Sequence, residues 1–199
     1  MSYEVVRLGD YVKIQTGKLD ANASDENGIY PFFTCSVEPL KINEYAFDCE
    51  CVVIAGNGDL NVKYFNGKFN AYQRTYVIES LNHKVLNVRY LYWFKSLYIN
   101  YLRNQSIGGV IKYIKLGNLT EAKFPLPPLD IQKKIADALD KAQELIDKRK
   151  EQISTLDKFL ENLFLDMFGD PVNNPMGWTI SYIEQLVLNE KGSIKRGPF

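Results

Sequence analysis

The sequence predicts an α/β chain of the α+β type, in which a mixed or antiparallel sheet domain is followed by one long coiled-coil helix. Three observations carry this. Residues 1 to about 86 hold short runs rich in β-branched and aromatic residues, separated by Gly, Asn and Asp turns. From about Val88 to Asn104 apolar residues recur at spacings of three and four, the period of a helix face. From Ile131 to about Phe168 the chain contains neither Pro nor Gly, and its apolar residues alternate between four- and three-residue steps.

Taken in order, Val5-Val6 and Leu8 lead into Tyr11–Ile14, and further strands are expected at Tyr30–Thr34, Cys51–Ala55, Val62–Phe65 and Arg74–Ile78. Asn57-Gly58-Asp59 and Asn66-Gly67 are the sharpest turns, because Asn and Gly tolerate positive φ. In the first helix Leu91, Phe94, Tyr98, Tyr101 and Leu102 form the buried face, thickened by Tyr90, Trp93 and Leu97. Gly108-Gly109 stops it, and a short strand is expected over Val110–Ile114. Leu116–Leu119 reads as a turn or brief helix, and Ala122–Leu126 as extended where it runs into Pro127-Pro128.

Asp130 is the expected N-cap of the long helix. At about 38 residues the helix would reach about 57 Å, far beyond the average of about 12 residues. Its seam is Ile135, Leu139, Ala142, Ile146, Arg149, Ile153, Leu156, Leu160, Leu163 and Met167, which calls for a second long helix along most of its length. Arg149 inside the seam either fixes register or reaches out to an acidic partner. Gly169-Asp170-Pro171 ends the helix, and a turn-rich linker follows. Trp178, Ile180, Ile183, Val187 and Gly192 then echo Tyr3, Val5, Leu8, Val12 and Gly17, as the opening of a second copy of the unit would, cut off at Phe199. The expected organisation is a domain over 1–129, the helix over 130–169, and over 170–199 a linker with the start of a second domain.

Composition excludes several functions. The 199 residues carry 24 basic and 24 acidic side chains, which rules out a histone-like polycation but leaves open where charge is concentrated. No stretch approaches 18 uncharged apolar residues. Cys35, Cys49 and Cys51 lack a CxxC spacing, and His83 is the only histidine, so a structural zinc site is not expected. No nucleophile accompanies His83, acidic residues are scattered, and Asn173-Asn174-Pro175-Met176 lacks the aromatic that adenine methyltransferases place against a flipped base. Neither catalysis nor a metal is expected, and a reducing, cytoplasmic setting fits best.

Binding is better supported. Between Glu79 and Glu121 there is no acidic residue, while Lys84, Arg89, Lys95, Arg103, Lys112 and Lys115 alternate with seven aromatics. The aromatics follow the helical period and read as core. The basic residues read equally as a solvated face or as one that meets a phosphate backbone. Ala55–Asp59 lacks the elements of a nucleotide loop and reads as a tight turn at a strand end, though such a turn can present Asn57 to a ligand. Gln73 and Arg74, just before a strand, are the residue types that bond adenine and guanine edges respectively.

Several segments together resemble the specificity subunit of type I restriction-modification systems. Val6-Arg7-Leu8-Gly9-Asp10-Tyr11-Val12, Gly28-Ile29-Tyr30-Pro31-Phe32 and Val52–Gly58 are similar to landmarks of its target recognition domain. Phe124-Pro125-Leu126-Pro127-Pro128-Leu129-Asp130-Ile131-Gln132-Lys133-Lys134-Ile135-Ala136 is similar to the family's iPlPPLxxQxxIA lead into its conserved helix. Leu165–Pro171 resembles that helix's exit, Asn174–Trp178 the lead into a second domain, and Lys195–Phe199 that domain's KxGPFG segment.

The resemblance implies a non-catalytic reader. Two recognition domains, each reading half of a bipartite DNA target, are spaced by two antiparallel long helices. Methyltransferase (modification) subunits and a translocase–nuclease (restriction) subunit dock on the assembly and carry S-adenosylmethionine, ATP and Mg. A chain with one recognition domain is expected to dimerise through its helix. The residues expected at DNA are Lys18, Asn57, Lys63, Gln73, Arg74, Arg103, Ser106, Lys112 and Lys115, with base reading from loops near Asn57, Gln73-Arg74 and Ser106–Lys112. The alternative is a protein-interaction scaffold assembling through its coiled coil, which the neutral charge also suits.

Overall fold

The computed structural model describes residues 3–107 and 113–182, which fall into two compact units, Met1–Gln143 and Glu144–Phe199. The first unit runs β1 (Val5–Arg7), a 3-10 turn (Leu8–Asp10), β2 (Val12–Thr16), a second 3-10 turn (Ala21–Ala23), β3 (Tyr30–Phe33), β4 (Leu40–Ile42), β5 (Phe47–Ala55), β6 (Val62–Ala71) and β7 (Thr75–Ser80). It continues through α1 (Val88–Gln105), α2 (Leu116–Thr120) and β8 (Lys123–Pro125) into α3 (Leu129–Phe168). Six strands make one mixed sheet in the order β2-β7-β5-β6-β3-β4, and β1 pairs with β8 apart from it. Only the β3–β6 pairing is parallel among these.

Successive side chains of β5 go to opposite faces, and both faces are covered. Val52 and Ile54 join Leu8, Leu60, Ile78, Leu91, Leu102 and Phe124 in the larger core. Cys51 and Val53 join Phe33, Phe69, Ala71 and Val77 in the smaller one. That double burial explains the unbroken apolar run Cys51–Ala55.

The smaller core exists because the sheet curls over itself. β6 starts with Val62 opposite Ile54, yet three residues past its end the Arg74 carbonyl accepts a 2.8 Å bond from the Gly56 N–H, beside the end of β5. Ten straight residues would carry the chain about 33 Å away, so the strand must bend. Gly67, midway along it, adopts φ 132°, which a side chain resists. The turn expected at Asn66-Gly67 is therefore a bend inside a strand, with Asn66 still paired to Glu50 and Gly67 to Cys49. A second close approach follows: a Cβ on Gly17 would sit 1.7 Å from the Ala71 carbonyl oxygen.

α1 is capped by Asn87, whose side chain accepts from the Tyr90 N–H at 2.8 Å. Leu97, expected on the buried face, is 76% exposed. It lies six residues beyond Leu91, about 240° around the helix. Lys95 goes the other way and is wholly buried. Its ammonium has no hydrogen-bond partner among the described residues and lies 4.9 Å from the centre of the Tyr98 ring. Burial pushes this amine down to about 7.

α3 starts at Leu129, one residue before the expected N-cap, so Asp130 occupies its first turn. The Pro128 carbonyl accepts from the N–H groups of Ile131 (2.9 Å) and Gln132 (3.0 Å). Ala136 is part of the domain's larger core and Ile135 packs against it. The root of the seam is thus covered by the chain's own core, and over these residues no second helix is needed. Ala142, Ile146, Arg149, Ile153, Leu156, Leu160, Leu163 and Met167 are exposed. Arg149 bonds Gln152 within its own helix at 3.0 Å.

In the second unit Gly169, at φ 76°, closes the helix with a 2.8 Å bond from its N–H to the Leu165 carbonyl. Asn174 then bonds both backbone groups of Trp178, at 2.8 and 2.9 Å. Ile183, Val187 and Gly192, three of the five positions of the internal echo, and the Lys195–Phe199 segment lie outside the described residues. Among those described, no helix is long and apolar enough to cross a membrane.

Candidate nucleic-acid interface

Where β5 ends and β7 begins, four segments converge on a cleft of ≈ 210 Å³ lined by Thr16, Gly56, Asn57, Gln73, Arg74, Tyr76, Tyr113 and Ile114. Backbone bonds hold them together. The Gly56 N–H reaches the Arg74 carbonyl at 2.8 Å and the Ile114 N–H reaches the Gly56 carbonyl at 2.9 Å. The Tyr76 hydroxyl donates to the Ile114 carbonyl at 3.1 Å. A Cβ at Gly56 would come within 2.4 Å of the Arg74 oxygen, so this approach requires glycine.

Three sequence-predicted residues meet here. The Asn57 Oδ1 accepts from the Cys35 thiol at 2.6 Å. The Gln73 Nε2 donates to Asp20 Oδ2 at 3.3 Å, which leaves its carbonyl oxygen and its second N–H open to bonding. Arg74 is exposed, and no hydrogen bond or ion pair holds its guanidinium among the described residues. A free planar donor fork beside amide groups is the chemistry that reads base edges. Lys18 is exposed in a neighbouring cleft of ≈ 450 Å³, which shares Thr16 with the first and also contains Lys13.

The other expected residues are placed differently. The Lys63 ammonium donates to the Ser36 carbonyl at 2.7 Å and to Asn61 Oδ1, tying a loop to the sheet, and burial lowers its pKa. Arg103 donates to the Leu60 carbonyl at 2.9 Å and pairs with Asp59 at 3.3 Å, bracing the turn that presents Asn57. The Ser106 hydroxyl closes α1 by donating to the Arg103 carbonyl at 2.6 Å. Lys115 is exposed at the start of α2, its N–H held by Asn118 Oδ1 at 2.7 Å. Lys112, with most of the expected 110–114 strand, lies outside the described residues, and Tyr113 bridges to Asn57 and Ile107.

The acid-free tract is less positive in space than in sequence. Lys95 is buried, Arg103 meets Asp59, and Arg89 meets Asp140 from α3. This last contact belongs to a network that sequence reasoning missed. Arg89 Nε bonds both Asp140 oxygens at 2.8 and 2.9 Å, and Trp93 Nε1 donates to Oδ1 at 2.7 Å. The guanidinium lies over the rings of Tyr64 at 4.4 Å and Tyr92 at 4.9 Å. Burial acts to raise the Asp140 carboxyl, but the bonds from Arg89 and Trp93 outweigh it and hold it below the usual range.

Eight residues earlier Gln132 is wholly buried. Its Oε1 accepts from the Asn87 N–H at 2.9 Å, and its Nε2 donates to the Val85 and Pro127 carbonyls, each at 2.8 Å. The available signal was a lone amide three and four residues before Ile135 and Ala136, on the apolar face. Cys49 and Cys51 lie along β5, the second buried. Burial pushes the Cys49 thiol up to about 11 and raises Cys51 further, the opposite of what activates a thiol. Among the described residues no group of three or more His, Cys, Asp or Glu side chains is arranged to hold a metal.

A sheet domain with a polar, donor-bearing rim, continued by a long helix rooted in its core, defines the class. The family described as the type I restriction modification DNA specificity domain matches residues 2–157, and the chain belongs to it. It is 39% identical over 161 residues to the type I restriction enzyme EcoDI specificity subunit of Escherichia coli, an alignment covering 81% of this chain and 36% of that protein. It is 28% identical over 177 residues to the MjaVIII specificity subunit of Methanocaldococcus jannaschii, covering 83% and 42% respectively. In structure it is similar to a type I restriction-modification S subunit from M. genitalium, with a TM-score of 0.65 at 16% identity over 84% of this chain and 44% of that one. The chain therefore spans less than half the length of these relatives.

Proposed function

We propose that the chain is a non-catalytic, sequence-specific DNA-binding component of a type I restriction-modification complex. It reads one half of a bipartite target, and partner subunits carry out adenine methylation and cleavage there. The observation that carries this reading is the family match, which runs without a break through the sheet domain and into the long helix. The rim geometry supports it further, with Arg74 free to meet a guanine edge, Asn57 and Gln73 beside it, and Lys18 exposed nearby to meet phosphate. Lys63, Arg103 and Ser106 shape the reading loops, and Lys115 extends the basic side. Residues 1–129 form the reader, 130–169 the spacer, and 170–199 lead toward a second domain.

α3 acts as a ruler between half-sites, paired with a second long helix, and a form of the protein with a single reader gains the second by self-association through α3. The exposed row of Ile153 (59%), Leu156 (60%) and Leu160 (61%) supports that pairing. The methyltransferase and translocase–nuclease subunits bind this assembly in the cytoplasm, and S-adenosylmethionine, ATP and Mg belong to them.

The test is reconstitution with the methyltransferase subunit, followed by mapping of methylated adenines. Arg74→Ala is expected to cost about 1–3 kcal/mol at one base pair and leave the others unchanged. Lys18→Ala is expected to weaken all sequences alike and lower the salt slope by about 1. A methylation map that is identical with and without this chain refutes the assignment.

A further inference from the structure

We infer that Arg89, Trp93 and Asp140 form a positioning clasp, which together with Gln132 holds the root of α3 at one orientation on the reading domain and so limits the spacer lengths the assembly accepts. The inference rests on the reading of α3 as a ruler and adds the residues that make the ruler stiff where it is mounted.

The demand on the mounting follows from the helix's length. From Asp140 to the end of α3 at Phe168 the helix rises about 42 Å at 1.5 Å per residue. A tilt of about 5° at the root would move the far end by about 3.7 Å, close to the 3.4 Å step between base pairs. Discriminating neighbouring spacer lengths therefore requires a mounting that is firm to a few degrees. Apolar contact, such as Ile135 and Ala136 make with the core, is non-directional and lets a helix roll.

The clasp supplies direction. Rings on two elements, Tyr64 in β6 and Tyr92 in α1, hold the Arg89 plane. Arg89 and Trp93 donate to Asp140 from adjacent turns of α1. Gln132 fixes a second point, bonded to Asn87, Val85 and Pro127. Two points eight residues apart, about 12 Å along the axis, define a direction where one would define only a pivot.

Two readouts test this on the full chain with Asp140→Asn and Trp93→Phe, the second removing one N–H donor while keeping an aromatic side chain. The first is adenine methylation by the reconstituted complex on DNA whose half-sites are separated by spacers differing in single base pairs. The ratio of the preferred spacer to its neighbours is expected to fall about tenfold, the effect of about 1.4 kcal/mol, with half-site base preference unchanged. Unchanged ratios, or equal loss at every spacer as a merely structural role would give, overturn the clasp. Wild-type protein without any spacer preference refutes the ruler reading instead.

The second readout, amide hydrogen exchange on the chain alone, does not depend on that reading. Amides over 133–143 are expected to exchange about tenfold faster in both variants while β5 and β7 stay protected, and wild-type rates there overturn the clasp. Should Asp140→Asn not fold, Trp93→Phe decides both measurements. Lys148→Ala, which removes an exposed pair with Glu144, is the control and leaves both readouts unchanged.

Discussion

Replacing Gln132 by Glu changes one NH2 group to an oxygen with almost no change of shape, at a site where all three bonds of the amide are made inside the protein. The Nε2 position faces the Val85 and Pro127 carbonyl oxygens, each at 2.8 Å. A carboxylate there would oppose two acceptors at bonding distance, without solvent to screen it. Each carbonyl left without a donor costs about 1–3 kcal/mol, so Gln132→Glu is expected to lose about 4 kcal/mol at pH 7, a large share of the about 5–15 kcal/mol that holds a domain together.

The loss is expected to depend on pH, and its sign follows from the site. Burial and the two carbonyls raise the folded carboxyl above its unfolded value of about 4.3. The folded state then binds a proton that the unfolded state has released, so stability falls as pH rises through that window and recovers as pH falls below it. The protonated acid can donate to only one carbonyl, so recovery is partial. Urea denaturation followed by circular dichroism, at pH 4 to 8 and against wild type, measures this. Gln132→Met is the uncharged companion, with a pH-independent deficit. Wild-type stability of Gln132→Glu at pH 7, or a deficit that does not vary with pH, would refute the account of Gln132 as the buried bond centre of the helix root.

Lys95→Met is expected to stabilise the domain by roughly 4 kcal/mol at pH 7, less whatever the contact with the Tyr98 ring contributes. The wild-type amine releases its proton near pH 7 when folded but near 10.5 when unfolded. Wild type therefore gains stability as pH rises between those values, and the variant lacks that gain in the same denaturation series. Gly17→Ala, whose Cβ would lie 1.7 Å from the Ala71 oxygen, is expected to cost at least about 2 kcal/mol, read as a lowered urea midpoint. Leu156→Asp with Leu160→Asp is expected to abolish self-association in sedimentation velocity while leaving the thermal unfolding of the sheet domain unchanged, because both side chains are exposed and far along α3 from its root.

The elements were legible wherever one local period or one turn signal decided them. Alternation along Val12–Ile14 and the apolar run Cys51–Ala55 marked strands. The four–three steps marked α3, and Asn57-Gly58-Asp59 marked a turn whose Gly58 does adopt φ 69°. The motif that carried the resemblance proved to be structural as well: its Gln132, Ile135 and Ala136 seat the helix on the domain. Asn57, Gln73 and Arg74 were legible as chemical types, and 16 residues of sequence separate the first two.

Their meeting in one cleft was decided only by the curl of β6, which brings Arg74 back to Gly56. Sequence marks Gly67 as permissive but cannot say whether the chain turns there or bends within a strand, because that depends on β5 pairing with both halves. Charge behaved the same way: the basic tract from Lys84 to Lys115 reads as a patch until Asp140 and Asp59 arrive from distant positions and Lys95 turns inward. Local sequence thus determined where strands and helices form, since propensity and period act over a few residues. Tertiary structure decided which polar groups meet, since partners such as Arg89 and Asp140 lie 51 residues apart and only the packed core brings them within bonding distance.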